Sequence, residues 1–142
     1  MPAPAPRSTR DSRDGPTPAP DLVRLIVEAA HSKKAVDVTV LDLRGLSSEV
    51  DFFVICTATT DTQIKAVTEG IVRDVRDAVG ERPVSREGQP GASRWIVLDY
   101  FDVAVHVFDP ELRAHYDLER LWGDAPMETV ADDAETIALL DA

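Results

Sequence analysis

The stretch Val36-Asp37-Val38-Thr39-Val40-Leu41-Asp42-Leu43-Arg44-Gly45-Leu46-Ser47-Ser48-Glu49-Val50-Asp51-Phe52-Phe53-Val54-Ile55-Cys56-Thr57 decides the fold. Residues 36–43 and 52–58 are short runs rich in Val, Ile, Leu and Phe. Near-continuous apolar runs of this length read as strands covered on both faces. The polar residues between them read as a connecting loop. A helix follows. Thr60 and Gln63 have the spacing of a capping box, in which the hydroxyl and the amide each satisfy a backbone N–H of the first turn. Ile64, Val67, Ile71, Val75 and Ala78 form one apolar stripe, and Gly80 supplies a C-terminal stop. Lys65, Glu69, Arg73, Asp74 and Arg76 lie off the stripe and read as a solvated face.

Upstream, Asp21 has the character of an N-cap, and Leu22, Leu25, Ile26 and Ala29 repeat at helical spacing towards Lys33-Lys34. Downstream, residues 82–87 read as a short edge strand with Pro83 near its start. Residues 94–98 and 103–108 read as a hairpin joined through Asp99-Tyr100-Phe101-Asp102. A two-residue turn there needs positive φ at Phe101, so either the loop is wider or Phe101 is strained. Asp109 and Pro110 begin a last helix, with Leu112, Tyr116, Leu118, Leu121 and Trp122 available to dock it. The order α-β-β-α-β-β-β-α predicts an α/β (α+β) fold, a single mixed sheet of about five strands with helices on its faces. One domain is expected over residues 21–122. Residues 1–20 hold six of the ten prolines and no hydrophobic period, which predicts a disordered leader. Residues 123–142 predict an acidic, loosely held tail, with a short helix over 132–140.

The 142 residues carry a net charge of −11. The leader has three arginines against two aspartates, whereas residues 123–142 have six carboxylates and no lysine or arginine. Such a surface is repelled by phosphate backbones, which disfavours nucleic-acid readout; it is compatible with a basic protein partner and equally with acidity that only aids solubility. No apolar run approaches the ~20 residues of a membrane span. The single cysteine, Cys56, excludes an internal disulfide and fits a reducing cytoplasm, with the side chain read as a small core hydrophobe.

No catalytic constellation emerges. Gly45-Leu46-Ser47-Ser48 followed by Asp51 is similar to the nucleotidyltransferase pattern, which needs two carboxylates two residues apart on a strand so that both reach the same metal ions. Phe53 occupies the place of the second acid. His31, His106 and His115 do not converge in sequence, and His106 reads as a hydrogen-bonded, partly buried histidine. Ser47, Ser48 and Ser93 lack a nucleophile elbow, and no glycine-rich phosphate loop is present. Neither a metal nor a cofactor is expected. Trp122 and Tyr116 read as core. Trp95 alternates with Val97 and Asp99 on a face that runs towards the acidic tip, an arrangement suited to protein contact.

The residues then resemble the ribosomal silencing factor family, also called Iojap or RsfS. The resemblance rests on Val40-Leu41-Asp42-Leu43-Arg44-Gly45-Leu46-Ser47-Ser48, Asp51-Phe52-Phe53-Val54-Ile55-Cys56-Thr57 and Thr59-Thr60-Asp61. It continues in Trp95-Ile96-Val97-Leu98-Asp99-Tyr100, Asp102-Val103-Ala104-Val105-His106-Val107-Phe108 and Tyr116-Asp117-Leu118-Glu119-Arg120-Leu121-Trp122. It implies a nucleotidyltransferase-like core without catalytic acids. It also implies binding to protein fourteen of the large ribosomal subunit, on the face that meets the small subunit, and so a block to subunit joining when nutrients are scarce. The contact face it implies is Trp95, Asp99, Tyr100 and Asp102, with Glu87 beside them. Phe101 departs from the glycine usual there. Homodimers occur in the family. The competing readings are a nucleotidyltransferase-like enzyme with atypical metal ligands and a dimeric adaptor for another basic protein.

Overall fold

The computed structural model describes residues 17–141. Of the leader expected over residues 1–20, residues 1–16 lie outside the described residues. The first helix, α1 (Ala19–Ser32), starts two residues before Asp21, because Pro18 stands at the cap and Pro20 lies in the first turn. Proline costs nothing there, since its missing N–H would have no intrahelical partner and its fixed φ suits a helix start. Asp21 takes a first-turn place instead of the cap.

The two apolar runs form β1 (Val36–Asp42) and β2 (Phe52–Thr57), paired antiparallel. Helix α2 (Asp61–Val79) follows. Thr60 Oγ1 accepts the Gln63 N–H at 3.0 Å, but the amide of Gln63 reaches back to Thr59 N–H at 2.8 Å, one residue earlier than a capping box requires. Its nitrogen also donates to the Lys34 carbonyl at 2.8 Å, which fastens the start of α2 to the end of α1. Ile64, Val67, Ile71 and Val75 are buried as their spacing predicts, whereas Ala78 is exposed and Val79 turns inward. Gly80 closes the helix at φ 75°, a conformation that costs glycine nothing.

Strands β3 (Ser85–Glu87), β4 (Trp95–Asp99) and β5 (Val103–Phe108) complete the predicted set. Gly88, between β3 and β4, has φ 88°, and a Cβ on it would stand 2.6 Å from the Trp95 carbonyl oxygen. Two short helices follow, α3 (Pro110–Tyr116) and α4 (Leu118–Leu121). Asp109 caps α3 by accepting the Leu112 N–H at 2.8 Å.

Among the described residues the sheet has six strands, not five, in the order β3-β4-β5-β2-β1-β6. Only β2 and β5 run parallel. The sixth strand, β6 (Met127–Thr129), comes from the segment expected to be loose. Thr129 pairs with Thr39, and Val130 N–H donates to the Val38 carbonyl at 2.8 Å. Val130 and Ile137 are buried, and α5 (Ala138–Asp141) is tied to α1 by Arg24 and Asp141 at 2.6 Å. Each buried aliphatic side chain of this kind is worth about 1.5–3 kcal/mol, enough to fix a segment whose net charge suggested otherwise.

One sheet face is covered by α1 and α2. Val38, Val40, Phe52, Val54, Cys56, Ile96, Leu98, Val103, Val105 and Val107 lie beneath these helices. The opposite face carries a smaller core of Leu41, Leu43, Ile55, Phe108 and Ala125 under α3 and α4. Among the described residues, no helix is long and apolar enough to cross a membrane.

Candidate functional site

Helices α3 and α4 cover only part of the second sheet face. Strand alternation puts Trp95, Val97 and Asp99 of β4 there, opposite Phe108, His106 and Ala104 of β5, with Phe53 and Ile55 of β2 beyond. At the covered end, Trp95 stacks on Phe108 with centroids 4.7 Å apart and lies 4.6 Å from the Tyr116 ring. At the open end is a groove of about 540 Å³. Phe53, Val97, Ala104, His106, Val50 and Trp122 supply its apolar and aromatic lining, with Ser47, Glu49, Asp99 and Phe101 beside them.

His106 joins the two ends. The Trp95 indole can only donate, and its Nε1–H meets His106 Nδ1 at 3.2 Å. The neutral ring therefore carries its proton on Nε2, which is buried and finds no hydrogen-bond partner among the described residues. Phe53 packs edge-on against the imidazole at 4.5 Å and against Trp122 at 6.1 Å. Burial pushes the imidazole pKa down to about 4, against a smaller opposing pull from the Glu119 carboxylate. Glu49 and Asp99 are thus the groove's charged side chains among the described residues, and both are negative.

The fall of the His106 pKa from 6.5 to about 4 has a consequence for stability. Between those values the unfolded chain binds a proton that the folded chain refuses, so this contribution is complete above the unfolded pKa and is lost as pH drops towards the folded one. Its full size is about 3 kcal/mol. Melting temperatures followed from neutral pH to acid should fall for the parent, and a His106→Gln variant should lack that part of the slope. Identical slopes would show that the ring is protonated in the folded state.

The contact residues expected from sequence do not all meet. Trp95, Asp99 and the edge-strand Glu87 share this face, Glu87 through its pairing with Val97. Asp102 occupies the hairpin turn, where its carbonyl accepts Asp51 N–H at 2.7 Å and Phe52 N–H at 3.1 Å. Tyr100 is the correction. It follows Asp99 and so points to the opposite face, where it is 2% exposed among the residues under α1 and α2. Burial raises its phenol pKa, and the side chain offers nothing to a surface partner. Tyr116 and Leu121, read as docking residues, are respectively 49% and 72% exposed. Phe53, Trp122, Val50, Glu49 and Ala104 were not anticipated at the site. Alternation from Trp95 across the paired strands is the signal that reaches Phe53 and Ala104.

The arrangement suits non-covalent contact. Phe53, at the second-acid position, lines the groove. Among the described residues, no three His, Cys, Asp or Glu side chains converge as metal ligands. Cys56 is fully buried, and burial pushes its thiol up to about 12.

Residues 16–139 match the family profile described as "Ribosomal silencing factor during starvation" (RsfS). The chain belongs to the ribosomal silencing factor family. It is 36% identical over 108 residues to the Bacillus subtilis ribosomal silencing factor RsfS, covering 75% of this chain and 88% of that protein. It is 41% identical over 106 residues to the factor of Halalkalibacterium halodurans, covering 75% of this chain and 89% of that one. A crystal structure of a Chromobacterium violaceum protein superposes with a TM-score of 0.70 at 30% identity, covering 82% of this chain and 97% of the other. Members of the RsfS family are regulatory factors associated with ribosome silencing, and the match extends through the β6 segment.

Proposed function

We propose that this chain is a cytoplasmic translational repressor that acts by occupancy. It binds protein fourteen of the large ribosomal subunit on the surface that meets the small subunit, and it sterically blocks subunit joining when nutrients are limiting. No bond is made or broken. The effect grows with factor concentration relative to its dissociation constant. The observation that carries the reading is the groove beside Trp95, with an apolar and aromatic lining and charged side chains of one sign, Glu49 and Asp99. An apolar centre with an acidic border fits a basic protein surface, and its charge opposes contact with exposed RNA.

The test is a sucrose-gradient profile of dissociated subunits brought to joining conditions with the purified chain. The factor should sediment with large subunits, be absent from joined ribosomes, and lower the joined fraction in proportion to dose. Full joining at a saturating dose would reject the mechanism.

A further inference from the structure

We infer that the β4–β5 hairpin tip is a preformed contact arm, and that Phe101 is a specificity-determining side chain that seats on a cationic side chain of the basic protein partner. This rests on the reading of the groove face as the surface that meets the large subunit.

Phe101 has φ 87°, a conformation that a side chain with a Cβ adopts only under constraint. The constraints are visible. Tyr100 N–H donates to the Val103 carbonyl at 2.8 Å, so the strands pair right up to a two-residue turn. Asp102 N–H donates back to the Tyr100 carbonyl at 3.2 Å, closing a three-residue turn with Phe101 at its centre. The Asp99 carboxylate accepts the Phe101 N–H at 2.7 Å. Two further N–H groups, from Asp51 and Phe52, clamp the Asp102 carbonyl. Both sequence-level alternatives are thereby decided: the turn has two residues, and Phe101 is strained within it.

Glycine would fill this backbone position without strain, so the turn's backbone geometry does not by itself select a ring here. The ring is nevertheless 53% exposed, and it borders the groove next to Asp99. Core packing therefore accounts for only part of it. An aromatic face beside a carboxylate is the chemistry that recognises a guanidinium or ammonium group, the ring through its quadrupole and the carboxylate through its charge. The arm is fixed before binding, so little ordering cost is left for the encounter.

The experiment measures binding of labelled protein to salt-washed large ribosomal subunits, alongside melting temperature. Phe101→Gly should melt no lower than the parent, yet its dissociation constant should rise about tenfold. Phe101→Asn, whose side chain tolerates positive φ, should behave alike. Phe101→Tyr should keep the parent affinity. Phe101→Leu, with bulk but no ring face, should bind as weakly as the glycine variant. Parent-like binding by the Gly and Asn variants would overturn the proposal, as would parent-like binding by the Leu variant. If Trp95→Ala weakens binding while the Phe101 variants do not, the arm is rejected and the groove face stands. If none of these variants changes binding, the face reading itself fails.

Discussion

Replacing Arg113 by alanine should destabilise the domain by about 4 kcal/mol and lower its melting temperature by more than about 10 °C. Arg113 lies on α3, and its side chain is 13% exposed. All of its donor capacity is in use. Nε and Nη2 both reach Glu119 Oε2, at 3.0 and 2.7 Å. Nη1 donates to the Asp37 carbonyl at 2.7 Å and to Thr57 Oγ1 at 2.9 Å, and Nη2 also reaches Thr39 Oγ1 at 3.1 Å. One guanidinium therefore joins α3, α4 and strands β1 and β2. Truncation would leave the Glu119 carboxylate, 24% exposed, without its partner, and the Asp37 carbonyl with only the Thr39 hydroxyl at 3.1 Å. Unpaired groups of this kind cost more than the net worth of the pair. Lysine offers a point charge, not a planar fork, and should recover only a minor part. The cycle Arg113→Leu, Glu119→Leu and both together separates the terms. The double variant should be markedly less destabilised than the sum of the singles. Simple additivity would show that the two side chains do not act as a unit.

The network explains what the sequence could and could not disclose. Arg113 reaches partners 56 to 76 residues away, and no local pattern announces such contacts. By contrast, β1, β2, α2 and the β4–β5 hairpin were legible because their signals are local: short apolar runs, the Thr60 cap, a stripe at helical spacing, and turn residues between alternating strands. β6 was illegible for the opposite reason. It is three residues long, its pattern includes an acid, and its stability comes from pairing with β1 and from Val130 and Ile137 reaching the core. At the site, Trp95 and Asp99 were legible because alternation from a solvated tip fixes their face. The same rule assigns Tyr100 to the other face. The contact face implied by the family resemblance includes Tyr100, but strand alternation takes its side chain to the covered side. Phe53 was legible as strand but not as surface, since an apolar residue within a continuous run looks like core until the sheet is seen to be covered incompletely on one side.

Replacing Asp99 by lysine should weaken binding to large ribosomal subunits by about a thousandfold, whereas Asp99→Asn should cost about tenfold. Asp99 does two things at once. Its Oδ1 holds the hairpin tip through the Phe101 N–H, and its charge borders the groove with that of Glu49. Asparagine keeps a carbonyl acceptor for the turn and removes only the charge, so its loss is the attraction of a half-exposed group. That attraction is screened within about 8–10 Å at moderate salt. Lysine removes the acceptor and sets a cation against the proposed basic partner, a like-charge juxtaposition worth several kcal/mol. Salt separates the two contributions. Parent affinity should decline as salt rises, mainly through slower association, and the Asn variant should decline less steeply. The Lys variant should bind weakly at every salt concentration, because repulsion at contact and a loosened tip both persist when long-range fields are screened. Its circular dichroism spectrum should match that of the parent, since the lysine side chain would sit at the margin of the open face, away from the core under α1 and α2. A Lys variant that binds as the parent does would place the ribosomal contact elsewhere on the molecule, and an Asn variant as weak as the Lys variant would assign nearly all of the effect to charge and none to the tip.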